Sequence, residues 1–252
     1  MAILWEATRA GVRYEVRSAG RTRRLYTDGV LHTQYHPQRP VTGSVWDLLL
    51  LPAFFLPAGE LRQVLVLGVG GGAVINLLRH YFSPDCITGI ELSDIHLRLG
   101  RRFFGLQRRG IHLIQADAVD WLAGYTGEPF DLIIDDLFME VEGEPARAVY
   151  ASPAWLRLLD SHLSRRGALV MNFATRGDFH RCGFFARPGL QRRFASAMTF
   201  SHPQLENCIA AWMKQPASTR WLRRRIQSLA LPAQLKQRLL QYRVQGLPPV
   251  GS

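Results

Sequence analysis

The residues with chemical potential in this sequence are one glycine-rich loop and a series of carboxylates, each placed just after a short apolar run. Gly68-Val69-Gly70-Gly71-Gly72-Ala73 follows Val64-Leu65-Val66-Leu67 and precedes an apolar helical pattern. Glycines there permit a tight strand-to-helix turn and let a ligand approach the backbone at a helix N-terminus, with Gly68, Gly70 and Gly72 as the contact positions. A plain tight turn would look the same. About 20 residues further on, Glu91 closes Thr88-Gly89-Ile90-Glu91, where a carboxylate accepts hydrogen bonds from both hydroxyls of a ribose. Asp117, with Ala118 beside it, follows the next apolar run; an aspartate there accepts from an exocyclic amine such as that of adenine and also caps the following helix. Asp131-Leu132-Ile133-Ile134-Asp135-Asp136 then ends in adjacent carboxylates, of which strand alternation sends one into a crevice and the other towards a helix. Beside Leu137, Phe138 and Met139, such a carboxylate would have a raised pKa suited to a general base.

These positions need a scaffold that brings successive strand ends together. Apolar runs at Gln63 to Leu67, Cys86 to Ile90, Ile111 to Gln115, Phe130 to Ile134 and Gly167 to Phe173 alternate with helical patterns near Ala73 to Tyr81, Asp94 to Phe104, Ala118 to Ala123 and Pro153 to Leu163. Such alternation predicts an α/β domain whose parallel sheet is covered on both faces. Ala197 to Ser201 and Asn207 to Trp212 predict an antiparallel pair at one edge. Ahead of the domain, Val12 to Gln34 reads as a small β-meander and Val45 to Leu56 as a short buried helix. The expected units are residues 1–57, 58–215 and 216–252, with Pro57-Ala58-Gly59 as the first boundary.

With 252 residues, 47% hydrophobic and 20% charged, the chain can bury a substantial core. No apolar run approaches the roughly 20 residues of a membrane span, and the N-terminus lacks a basic region followed by an apolar stretch, so a cytoplasmic address without membrane partners is expected. Cys86, Cys182 and Cys208 lack CxxC spacing, so neither a disulfide framework nor a metal site is expected. The net charge of +11 divides as +3, +1 and +7 over the three units. In the last unit Arg220, Arg223, Arg224 and Arg225 interleave with apolar residues in two helical patterns interrupted at Leu231-Pro232. Two docked amphipathic helices with solvated arginines are the simpler account, and a polyanion contact through this basic tail is the other.

A glycine loop and acidic strand ends fit a ligand with ribose and adenine but no required pyrophosphate, which favours S-adenosylmethionine or a derivative over NAD. At this point the sequence resembles the spermidine synthase family, the aminopropyltransferases built on the class I S-adenosylmethionine-dependent methyltransferase fold. Asp28-Gly29-Val30 resembles the family's DGV turn, Gly68 to Gly72 its GGGDGG loop and Phe130 to Asp136 its FDVIITD segment. Val149-Tyr150 with Trp155-Leu156 resembles the helix after the active-site loop. The resemblance implies a Rossmann-like, seven-stranded class I methyltransferase sheet with an N-terminal β-meander, here followed by a helical C-terminal tail. It further implies a homodimer, Asp136 as the catalytic aspartate, Glu91 and Asp117 as ribose and adenine carboxylates, and His32 in place of a cofactor-contacting glutamine.

Departures from the family pattern bear on substrate. Gly71 replaces the aspartate of GGGDGG, Met139 replaces the second aspartate of DxxD, and Val45-Trp46-Asp47 lacks the tyrosine and histidine of the amine pocket. A dication needs carboxylates around it, so putrescine is not the expected acceptor. Glu140, Glu142 and Glu144 would lie in the gatekeeping loop, as replacement charge or as an ordinary solvated acidic loop. The expected activity is alkyl transfer, aminopropyl or methyl, from S-adenosylmethionine or its decarboxylated form to a small-molecule amine, without a metal. An NAD-dependent oxidoreductase is the alternative, because Gly68, Gly70 and Ala73 also satisfy a relaxed dinucleotide fingerprint; a non-catalytic nucleic-acid-binding member is another.

Overall fold

Side chains alternate across a strand, so consecutive residues of a fully covered strand must bury against opposite layers. In the computed structural model of the chain, Val64 and Val66 join one core while Leu65 and Leu67 join another, and Leu132 and Ile134 are divided from Ile133 in the same way. The structure describes residues 1–57, 59–141, 144–230 and 232–247. Ala58 of the first expected boundary, Glu142 of the acidic loop and Leu231 of the tail interruption lie outside the described residues.

The chain opens with four antiparallel strands, β1 (Ala2–Arg9), β2 (Val12–Ala19), β3 (Thr22–Thr27) and β4 (Val30–Tyr35), paired in sequence order. Helix α1 (Val45–Leu50) runs into a 3₁₀ turn, Leu51–Phe55. Then come β5 (Gln63–Leu67), α2 (Ala73–Tyr81), β6 (Cys86–Glu91), α3 (Asp94–Phe103), β7 (Ile111–Gln115), α4 (Ala118–Ala123) and β8 (Phe130–Asp135). A hairpin of β9 (Phe138–Val141) and β10 (Glu144–Arg147) is followed by α5 (Pro153–Ser161), β11 (Leu163–Phe173), α6 (Arg176–Arg181) and α7 (Pro188–Gln191). Strands β12 (Ser196–Ser201) and β13 (Cys208–Met213), helices α8 (Thr219–Ser228) and α9 (Ala233–Leu240) and strand β14 (Arg243–Gly246) complete the fold.

The main sheet has the order β14-β12-β13-β11-β8-β5-β6-β7. Strands β5, β6, β7, β8 and β11 pair in parallel, whereas β13, β12 and β14 add antiparallel pairings on one side. From β5 the chain first builds outward through β6 and β7, then returns to place β8 on the other flank. The resulting topological switch point lies between β5 and β8, where open α/β sheets form their ligand crevice.

The architecture corrects three expectations. Eight strands, not seven, form the main sheet, because the basic tail contributes β14 as its edge. The meander begins at Ala2, not Val12: β1 is an edge strand whose Ile3 and Leu4 remain exposed, so its core-facing alternation is weak. The stretch around Glu140 to Glu144 pairs as a hairpin, with Glu144 opposite Val141.

The tail is also part of the core. Leu222 and Ile226 of α8 are buried in the same core as Phe54 and Phe55 of the 3₁₀ turn, and the Arg225 guanidinium donates to the Leu56 carbonyl. Ile226→Ala should therefore cost about 2–4 kcal/mol in denaturant unfolding. A loosely attached arm would lose no more than about 0.5 kcal/mol. Among the described residues, no helix is long and apolar enough to cross a membrane.

Candidate functional site at the sheet switch point

Each element delivers one functional group to the carboxyl ends of the central strands. The glycine loop leaves β5 with Gly68 at φ +82°, in the left-handed region that favours glycine. A side chain at Gly68 would also clash with the Asp136 carbonyl, since the Asp136 N–H donates to Leu67 O at 2.8 Å and binds the two strand ends together. A Cβ at Gly70 would lie 2.8 Å from the His32 carbonyl oxygen, and one at Gly71 would lie 2.9 Å from Thr33. At Gly72 it would collide with Leu106. The chain itself therefore requires glycine at these positions, because a side chain at any of them would meet other parts of the protein. An aspartate at position 71 would have to displace Thr33, whose Oγ1 accepts from Gly71 N–H at 2.7 Å.

The loop N–H groups are likewise committed. Gly68 donates to Ile90 O, Gly72 to Val69 O, and Val69 and Gly70 both donate to Glu91 Oε2, at 3.0 and 2.8 Å. Glu91 Oε1 accepts from Ser93 N–H at 2.9 Å. Three backbone N–H groups thus converge on this carboxylate. Burial pushes the Glu91 pKa up, but hydrogen bonds and charge from His96, with the backbone bonds from Ser93 and Gly70, outweigh it and leave the pKa below its ordinary value.

His96 reaches this carboxylate from α3, its Nδ1 3.7 Å from Oε1 and its Nε2 2.9 Å from Thr27 Oγ1 of the meander. The His32 ring lies 4.8 Å from that of His96. Burial and then the neighbouring His96 lower the His32 pKa to about 4, against the opposite pull of Glu91, so His32 is neutral at pH 7. Asp117 is exposed at the start of α4, and its Oδ1 accepts from Val119 N–H at 2.8 Å and Asp120 N–H at 3.2 Å. Ala118 is buried in the core beneath it. The structure therefore gives Asp117 the capping half of its expected double role.

The adjacent aspartates separate as strand alternation requires. Asp135 is fully buried and turned towards α5, where Trp155 Nε1 donates to it at 2.8 Å and the Arg147 guanidinium bonds both oxygens at 3.0 and 2.9 Å. Asp136 is partly buried on the opposite side. Its Oδ1 accepts from Asn172 Nδ2 at 2.8 Å, and Trp46 of α1 also hydrogen-bonds its side chain. Burial raises the Asp136 pKa to about 6; Asp135 adds to the rise, while bonds from Asn172 and Trp46 and the charge of Arg147 oppose it.

Sequence reading missed the residues that organise this pair. Arg147 also donates to Asn172 O at 2.6 Å and lies over the Phe173 ring at 5.4 Å. Asn207 Nδ2 donates to Asn172 Oδ1 at 3.1 Å, leaving the Asn172 amide N–H aimed at Asp136. A visible signal was Asn172 itself, a lone polar residue in the buried run Ala168 to Phe173. Trp46 gave no signal beyond its mismatch with the family pocket.

No protein-family model matches the chain. A polyamine aminopropyltransferase 2 from Caldanaerobacter subterraneus is 27% identical over 117 residues, which cover 45% of this chain and 39% of that relative. The chain thus matches about two fifths of the length of this curated relative. Among solved structures, a probable spermidine synthase from Corynebacterium glutamicum superposes with a TM-score of 0.72 at 15% identity and covers 100% of both chains. Human methyltransferase-like protein 13, solved with SAH, superposes with a TM-score of 0.57 at 22% identity, covering 78% of this chain and 89% of that one. With its meander and its mostly parallel sheet, the chain has a class I methyltransferase-like fold, and over part of its length its sequence is similar to a polyamine aminopropyltransferase.

Proposed function

We propose that the protein is an alkyl transferase that takes its alkyl group from S-adenosylmethionine or decarboxylated S-adenosylmethionine and delivers it to a small amine. The observation that carries this reading is Asp136: a carboxylate at the sheet switch point, with its pKa raised to about 6, beside a glycine loop and two further acidic strand ends. The donor supplies a carbon activated by an adjacent positively charged sulfur. Glu91 would hold the ribose, Asp117 would take the adenine amine through the oxygen that does not cap α4, and His32, neutral, would lie beside the cofactor. Asp136, ionised above about pH 6, accepts a proton from the acceptor nitrogen and orients its lone pair for in-line attack. Asn172 and Trp46 fix that carboxylate and leave it negative.

Charge around the site favours a monoamine over a dication. Arg147 neutralises Asp135, Met139 is half exposed and brings no charge, and Thr33 fills the room that an acid at position 71 would need. One uncompensated carboxylate suits one ammonium. A dinucleotide is less suited, because its pyrophosphate needs N–H donors that the loop has already spent on Glu91, Thr33 and the carbonyls of Ile90 and Val69.

By-product analysis tests the reading. With each donor and a panel of mono- and diamines, aminopropyl transfer releases 5′-methylthioadenosine and methyl transfer releases S-adenosylhomocysteine. Amine-dependent release of either supports the proposal; release of neither with any amine contradicts it. Glu91→Gln should weaken donor binding by about 10- to 100-fold in calorimetry, through loss of charge-assisted acceptance.

A further inference from the structure

A second charged feature lies outside the switch point, in the groove between the meander and helix α2. Two lobes, of about 370 and 500 Å³, share Tyr35, Pro37 and Arg108 and so form one continuous depression. The first lobe adds Arg79, His80 and His36; the second adds Arg21, Arg23 and Phe103. No carboxylate among the described residues lines either lobe, and none of the four arginines has an acidic partner among them. Two are held in place by main-chain carbonyls instead: Arg23 donates to Phe103 O at 2.6 Å and Arg79 to Arg109 O at 3.0 Å. Arg79 Nε is buried without a hydrogen-bond partner among the described residues.

Grouping unpaired like charges costs stability, and fixing them on carbonyls leaves their outward positive field intact. We propose that this groove binds single-stranded nucleic acid, with phosphates on Arg21, Arg23, Arg79 and Arg108 and bases against the half-buried rings of Tyr35 and Phe103. Cations that track a backbone beside aromatic faces are the recurring chemistry of strand binding. The recessed, ring-lined shape suits a strand better than the flat plane of an anionic membrane. This inference is independent of the alkyl-transfer reading, and it assigns the polyanion contact to this groove instead of the arginine-rich tail.

Fluorescence anisotropy of a labelled oligouridylate tests it. Affinity should fall with salt at a log–log slope of about −3, from about 0.7 per phosphate contact over four arginines. Arg21→Glu with Arg108→Glu, both exposed positions, should weaken binding at least about tenfold and flatten the slope by about 1.4. Reversal of Arg220, Arg223 and Arg224 to Glu changes more charge and should leave affinity within about twofold, because those residues lie in the tail. Thermal melting checks that the variants fold, and Arg21→Gln with Arg108→Gln carries the same expectation if the reversal does not. Absence of wild-type binding, unchanged affinity in the groove variants or an equal loss in the tail variant would overturn the proposal. So would uridine monophosphate competing as well as the oligomer, which means a phosphate site alone, or vesicles of anionic lipid binding through the same arginines.

Discussion

Asp136→Asn is expected to lower the alkyl-transfer rate by about 10²- to 10⁴-fold, the usual contribution of a positioned general base, while donor affinity stays close to wild type. The amide keeps an oxygen for Asn172 and Trp46 but cannot take a proton from the acceptor. In the wild type, the rate should rise with pH through about 6, as Asp136 ionises. The same substitution should stabilise the protein at higher pH. Folding raises the Asp136 pKa from 3.8 to about 6, so its protonated form fits the fold better than its charged form. That contribution is fully present below about pH 4 and is lost as pH rises through 6. Removing the charge should then add on the order of 2 kcal/mol at pH 8, discounted from the full shift because the group is partly exposed, and nothing near pH 4. Denaturant unfolding at the two pH values measures the difference. A variant with wild-type turnover, or with equal stability changes at both, would remove Asp136 from its assigned role.

Asp135→Asn should do the reverse: cost stability first. It leaves the Arg147 guanidinium, with a side chain only 8% exposed, without its charge partner. Breaking one member of a buried pair costs about 3–5 kcal/mol, a large share of a typical domain's stability of about 5–15 kcal/mol. The melting temperature should fall by about 10 °C. Replacing both partners by apolar residues should cost much less, since no buried charge is then stranded. If Asp135→Asn melts like the wild type, the pair does not organise the site.

These opposite outcomes for adjacent residues follow from strand periodicity, the most legible feature of the sequence. The apolar runs gave β5 and β7 their observed bounds, and Gly72 and Asp117 marked the starts of α2 and α4. Elements that lacked a buried face were hard to read: β1 keeps Ile3 and Leu4 exposed, and β14 is only four residues long. The acidic positions were visible because each ends an apolar run. Their partners were not, because Arg147 meets Asp135 across 12 residues and Asn172 meets Asp136 across 36, distances that only tertiary pairing closes. The glycine loop shows a further limit of sequence. Its composition signals close approach, but the atoms that approach are those of Asp136, His32, Thr33 and Leu106.

The central claim, that an adenosyl sulfonium donor sits across the strand ends, is tested most directly by calorimetric titration of wild type and Glu91→Gln with S-adenosylmethionine, its decarboxylated form and NADH. The account predicts saturable binding of at least one sulfonium donor, weakened by about 10-fold or more in the variant. Binding of NADH with no heat from either sulfonium compound, or donor binding that ignores Glu91, would contradict it.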